Sequence, residues 1–124
     1  GKYTRDQQVE GARWQNGKDN ANRQATEQTW NVLKLLKEMA NDKNCSMSQL
    51  SLAWNMSQPG VTAPIIGPRT FEQIEDNLRS VEVEMTEEDF SRIDELVPPK
   101  GYIVRYYDEA NAIDFRPHSH RSFA

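Results

Sequence analysis

The chain has 124 residues, a formal net charge of −4 and 36% hydrophobic residues. That charge excludes a general surface for nucleic acid or acidic membrane, and no apolar run approaches the ~18 residues of a membrane-spanning helix. A single cysteine, Cys45, excludes an intrachain disulfide and fits a reducing, cytoplasmic setting.

Residues 1–25 are polar, with Gly1, Gly11 and Gly17 and few sizeable apolar groups, and read as a loop. From Thr26 to about Asn44, Trp30, Leu33, Leu36 (or Val32 with Leu36), Met39 and Ala40 recur at three- and four-residue spacing, which predicts an amphipathic helix. Trp30 and Met39 on such a stripe are core residues in the ordinary case. Ser46 with Gln49 three residues on is a capping-box pattern, so a second helix is expected from Met47 to about Ser57. Its apolar face is Leu50, Ala53, Trp54 and Met56, and Pro59-Gly60 ends it. Cys45, between the two helices, reads as a small buried thiol, since no His and Asp stand near it to activate it.

Val61 to Ile66 is a short β-branched run broken by Ala63 and Pro64, and it predicts one buried strand. Gly67-Pro68 stops that strand, and Thr70 with Gln73 predicts a helix from Phe71. Most strand–glycine–helix junctions bind nothing. The free N–H groups and dipole of the first turn nevertheless favour an anion, and Arg69 brings a guanidinium fork suited to phosphate. Gln73 and Asn77, four apart, share a face beside it. Phe71, Ile74 and Leu78 are expected on the buried side of this helix, with Glu72 and Glu75 in water. Val81 and Val83 alternate with Glu82 and Glu84, which predicts a short extended link. Thr86 and Asp89 then start a last helix with Phe90, Ile93, Leu96 and Val97 on one face. The dipole accounts for Glu87 and Glu88 in its first turn, without a catalytic carboxylate pair. Beyond Pro98-Pro99 the tail, 98–124, lacks periodicity. His118 and His120, without a third ligand, make a poor zinc set.

Four segments together resemble the aldo-keto reductase family. Gly1-Lys2-Tyr3 is similar to the end of its "LTGKY" segment after the seventh barrel strand. Ser48 to Trp54 and Met56 to Val61 resemble its "ALAW" helix and "SQPGV" turn. Val61 to Asn77 resembles its last strand and following helix, and Thr86-Glu-Glu-Asp89 the start of its late helix. The resemblance covers roughly residues 1–97. It implies a partial (β/α)8 TIM barrel, because a closed barrel needs ~200–250 residues or more. On its own the chain should be mainly α-helical, with one short parallel-type strand at about 61–66 and with residues 26–97 forming the C-terminal part of the barrel.

The resemblance also implies roles. The junction holds the 2′-phosphate and adenine of NADPH, through Gly67, Pro68, Arg69, Gln73, Asp76 and Asn77. Asp76 stands where the family often has a Glu against the adenine amine. An Arg at position 69 suits NADPH over NADH, which lacks the phosphate. Lys2 matches a cofactor-touching lysine, and Arg13 is the best match for an arginine of the following loop, with Arg5 and Arg23 as alternatives. The family's catalytic Asp, Tyr, Lys and His lie in a preceding portion, so the chain alone should be inactive and bind NADP(H) weakly or not at all. Completed by that portion, it would take NADPH and a carbonyl substrate. The competing reading is a non-catalytic, truncated module that forms a homo-oligomer through its unpaired strand.

Overall fold

A computed structural model describes residues 26–99, 101 and 103. The expected loop 1–25, with Lys2, Arg5, Arg13 and Arg23, lies outside the described residues, as do His118 and His120. Among the described residues four helices form: α1 (Glu27–Asp42), α2 (Met47–Met56), α3 (Phe71–Leu78) and α4 (Glu87–Leu96), with a 3-10 turn over Arg79–Glu82 following α3.

Each helix starts on a hydroxyl. Thr26, Ser46, Thr70 and Thr86 each accept the backbone N–H three residues ahead, meeting one of the donors a helix start leaves open. In α2 and α4 the return bond also forms. Ser46 N–H donates to Gln49 Oε1 at 3.2 Å, and Thr86 N–H to Asp89 Oδ2 at 2.7 Å.

The end of α1 is a Schellman turn. Asn44 adopts φ 56°, Cys45 N–H donates to Ala40 O at 2.9 Å and Asn44 N–H to Asn41 O at 3.0 Å. Only a residue tolerant of the left-handed region fits there. Asn44→Gly is therefore expected to stabilise the chain by a few tenths to about 1 kcal/mol, and Asn44→Val to cost about 1–2 kcal/mol, as shifts of the urea midpoint. Gly60, at φ 83°, closes a turn in which Val61 N–H donates to Gln58 O at 3.2 Å.

α1 packs against α2 and α4, while α2 also packs against α3 and the 3-10 turn. Met39, Ala40, Leu50 and Ile93 form the buried cluster, with Leu35, Leu36, Trp54, Val83 and Met85 partly buried against it. Among the described residues Phe90, Met39 and Leu50 are the largest fully buried side chains. Polar ties at both ends fasten α1 to the C-terminal half of the unit. Lys43 Nζ meets Asp89 Oδ2 at 2.7 Å and Glu84 O at 2.9 Å, and Gln28 Nε2 donates to Leu96 O at 3.2 Å.

Three expectations are corrected. Residues 61–66 form no strand, and the described residues contain none. A strand exists only through a ladder with a neighbour, and no described segment offers one. Ile65 is accordingly wholly exposed. The apolar stripe of α3 is not buried either: Phe71, Ile74 and Leu78 are 68%, 38% and 59% exposed. The helix turns Asp76 toward α2, and those three positions lie roughly opposite it at ~100° per residue. Finally, Arg79–Glu82 winds into the 3-10 turn in place of an extended link, leaving Val81 exposed and Val83 half-buried.

Candidate functional site

The backbone from Val61 to Thr70 crosses from the end of α2 to the start of α3 without regular structure. Between this crossing and the helices lies a groove of about 520 Å³. Ile65, Ile66, Gly67 and Pro68 form its crossing side, and Gln73, Asp76 and Asn77 its α3 side. Leu33 and Leu36 of α1, with Met47, Ser48, Ser51 and Leu52 of α2, complete the lining. Five of the residues expected to bind cofactor thus share one groove: Gly67, Pro68, Gln73, Asp76 and Asn77. Arg69 is exposed beside Pro68 and outside the lining. Leu33, Met47 and Leu52 were not expected there, because only the packing of α1 and α2 brings them to the groove.

Local bonding constrains what each group can do. Gln73 Oε1 accepts Arg69 N–H at 2.7 Å, which ties the crossing to the first turn of α3. Asp76 accepts Ser46 Oγ at 2.9 Å and Gln49 Nε2 at 2.8 Å. The first turn of α3 already holds an anion. The Glu72 carboxyl sits below its ordinary value because its own N–H and the Thr70 hydroxyl donate to it. A phosphate at this junction would therefore rely on the Arg69 guanidinium more than on the helix end.

A second hollow, of about 460 Å³, is lined by Lys43, Cys45, Ser46, Gln49, Arg79 and Glu82, among others. Burial pushes the Cys45 thiol above its ordinary value of 9.0, with Lys43 opposing and Asp76 reinforcing the shift. The thiol stays protonated near neutrality, which agrees with a packing role. Among the described residues no group of three His, Cys, Asp or Glu could hold a metal ion, and no helix is long and apolar enough to cross a membrane.

The sequence model of the Aldo/keto reductase family matches residues 1–98. The chain belongs to the aldo/keto reductase family. Among curated relatives, it is 39% identical over 54 residues to an uncharacterized oxidoreductase, YrpG, of Bacillus subtilis, which is 44% of this chain and 17% of that protein. It is 33% identical over 70 residues to versiconal hemiacetal acetate reductase of Aspergillus parasiticus, 56% of this chain and 20% of the relative. It is 34% identical over 71 residues to L-glyceraldehyde 3-phosphate reductase of Escherichia coli O157:H7, again 56% of this chain and 20% of the relative. The matched stretch is thus a fifth or less of each of these relatives. The family implies a TIM barrel, and the described part of this member is mainly helical.

Proposed function

We propose that the chain supplies the C-terminal NADP(H)-binding part of an aldo/keto reductase, and that carbonyl reduction is the work of the barrel it completes. The observation that carries this reading is the groove beside α3, in which Gly67, Pro68, Gln73, Asp76 and Asn77 converge. Its volume falls within the ~300–1,000 Å³ of small-molecule pockets. Its aliphatic walls suit a purine face, and the half-buried Asn77 amide offers a donor and an acceptor to a purine edge. Among the described residues Asp76 is the only charged group in the lining, so the 2′-phosphate is assigned to Arg69 at the rim. When bound, NADPH supplies the hydride. This part of the chain binds and orients the adenosine end, while Lys2 and Arg13 take the pyrophosphate or loop side. In the chain alone, affinity is weak.

Arg69 sets the cofactor preference under this reading. Arg69→Ala should weaken NADP⁺ binding by roughly tenfold or more, the loss of a charge-assisted bond, and leave NAD⁺ binding unchanged. The ratio of the two dissociation constants measures it.

A second reading keeps the chain as a non-catalytic module that self-associates. Its edge-strand argument has no support among the described residues, but Ile65, Phe71, Leu78 and Val81 stand exposed and favour association. Turnover separates the two readings. Mixing the chain with the preceding portion of an aldo/keto reductase barrel should give NADPH-dependent reduction of a small aldehyde, and the chain alone none. A stable complex of the two pieces without turnover would contradict the enzyme reading.

A further inference from the structure

Asp76 lines the groove, yet its carboxylate is committed to α2. One oxygen, Oδ2, accepts Ser46 Oγ and the other, Oδ1, accepts Gln49 Nε2. The same two residues form the capping box of α2, so Gln49 uses both ends of its amide. Its Oε1 accepts Ser46 N–H at 3.2 Å while Nε2 donates to Asp76 at 2.8 Å. Gln49 is only 9% exposed, which shields these bonds from water. A carboxylate held at both oxygens is fixed in rotation, and it fixes the helix that carries it. This matters more for α3 than for any other helix, because α3 has no buried residue and exposes its apolar stripe.

We infer that Asp76 is a positioning residue. It clamps α3 to the cap of α2 and so sets Gln73 and Asn77 against the groove, and it does not itself touch the nucleotide. The inference rests on the reading of the groove as the adenosine end of an NADP(H) site.

Exchanging the two partners tests it. Gln49→Glu keeps the acceptor for Ser46 N–H but turns a second carboxylate toward Asp76. Adding Asp76→Asn restores a donor–acceptor pair with the roles reversed, while Ser46 Oγ can still donate to the new amide oxygen. Two readouts are taken on the full chain, amide hydrogen exchange of Ile74 to Leu78 and chemical-shift titration with NADP⁺. Gln49→Glu alone should speed exchange and weaken NADP⁺ binding, each by roughly tenfold or more. The double variant should return both to within about threefold of the wild type, the mark of a coupled pair.

If the double variant exchanges as fast as Gln49→Glu, the clamp is refuted. If exchange recovers but NADP⁺ binding does not, Asp76 contacts the nucleotide and the positioning role is refuted. If the wild type itself shows no response to millimolar NADP⁺, the cofactor reading of the groove fails, and exchange still decides the clamp.

Discussion

Replacing Phe90 with alanine is expected to remove about 3–5 kcal/mol and leave the helical unit marginally stable. Phe90 is wholly buried in α4, the helix that packs on α1. Small domains hold only ~5–15 kcal/mol in total, so this one truncation takes a large share. The loss has two parts, the apolar area returned to water and the cavity that the surrounding helices cannot close. Among the described residues the wholly buried set is small (Phe90, Met39 and Leu50 are its largest members), so little there can compensate. Phe71→Ala is the internal control. That ring is 68% exposed, and its removal should cost under ~1 kcal/mol. Far-UV circular dichroism through a urea titration reads both variants. Equal losses would mean that the two rings are packed alike, contrary to the structure.

Removing the Asp89 carboxylate is the second large effect. Its Oδ2 accepts Lys43 Nζ and Thr86 N–H, each at 2.7 Å, and the Thr86 hydroxyl at 2.9 Å. Asp89→Ala breaks the α1–α4 ion pair and opens the capping box of α4 in one step. The side chains of Lys43 and Asp89 are 21% and 9% exposed, so the pair is only partly screened. The expected cost is about 2–4 kcal/mol, below that of a fully buried pair because Lys43 keeps its bond to Glu84 O and some water.

The same group sets an acid limit. Burial alone would push the Asp89 carboxyl up, but the Lys43 ammonium and the two Thr86 donors outweigh it and hold the carboxyl below its ordinary value of 3.8. The folded value is thus the lower one. Its contribution is complete above the unfolded value and is lost as pH falls through the folded value. Unfolding midpoints of wild type and Asp89→Asn should therefore differ at neutral pH and converge below the ordinary carboxylate range. A gap that stays constant in acid would rule out this account of Asp89.

Local signals in the chain were readable, and long-range ones were not. Ser46 with Gln49 and Thr86 with Asp89 announced helix starts that formed as expected, because a cap involves only residues three apart. The motifs from Gly1 to Asp89 pointed to the family that the comparison then showed. The apolar stripe of α3 was readable as a stripe, but whether it is covered depends on what packs there. The β-branched run at 61–66 signalled strand propensity, yet a ladder needs a partner that local pattern cannot supply. Val81 and Val83 made too short an alternation to separate a strand from the 3-10 turn that formed. The resemblance singles out Asp76 as a contact to the adenine amine, and the structure puts it in the groove lining. Its bonds to Ser46 and Gln49, 30 and 27 positions away, had no local trace. The Lys43–Asp89 pair likewise has no local trace in the sequence.

The proposed function stands or falls with the groove beside α3 receiving the adenosine end of NADP(H). Amide chemical shifts of the folded chain, titrated with NADP⁺ and separately with NAD⁺, test it most directly. The expected perturbations are confined to the groove, at Leu33 and Leu36, Met47–Leu52, Ile65–Thr70 and Gln73–Asn77, and saturate at lower concentration for NADP⁺. A well-dispersed spectrum that does not change at millimolar NADP⁺, or that changes equally with both cofactors, would contradict it.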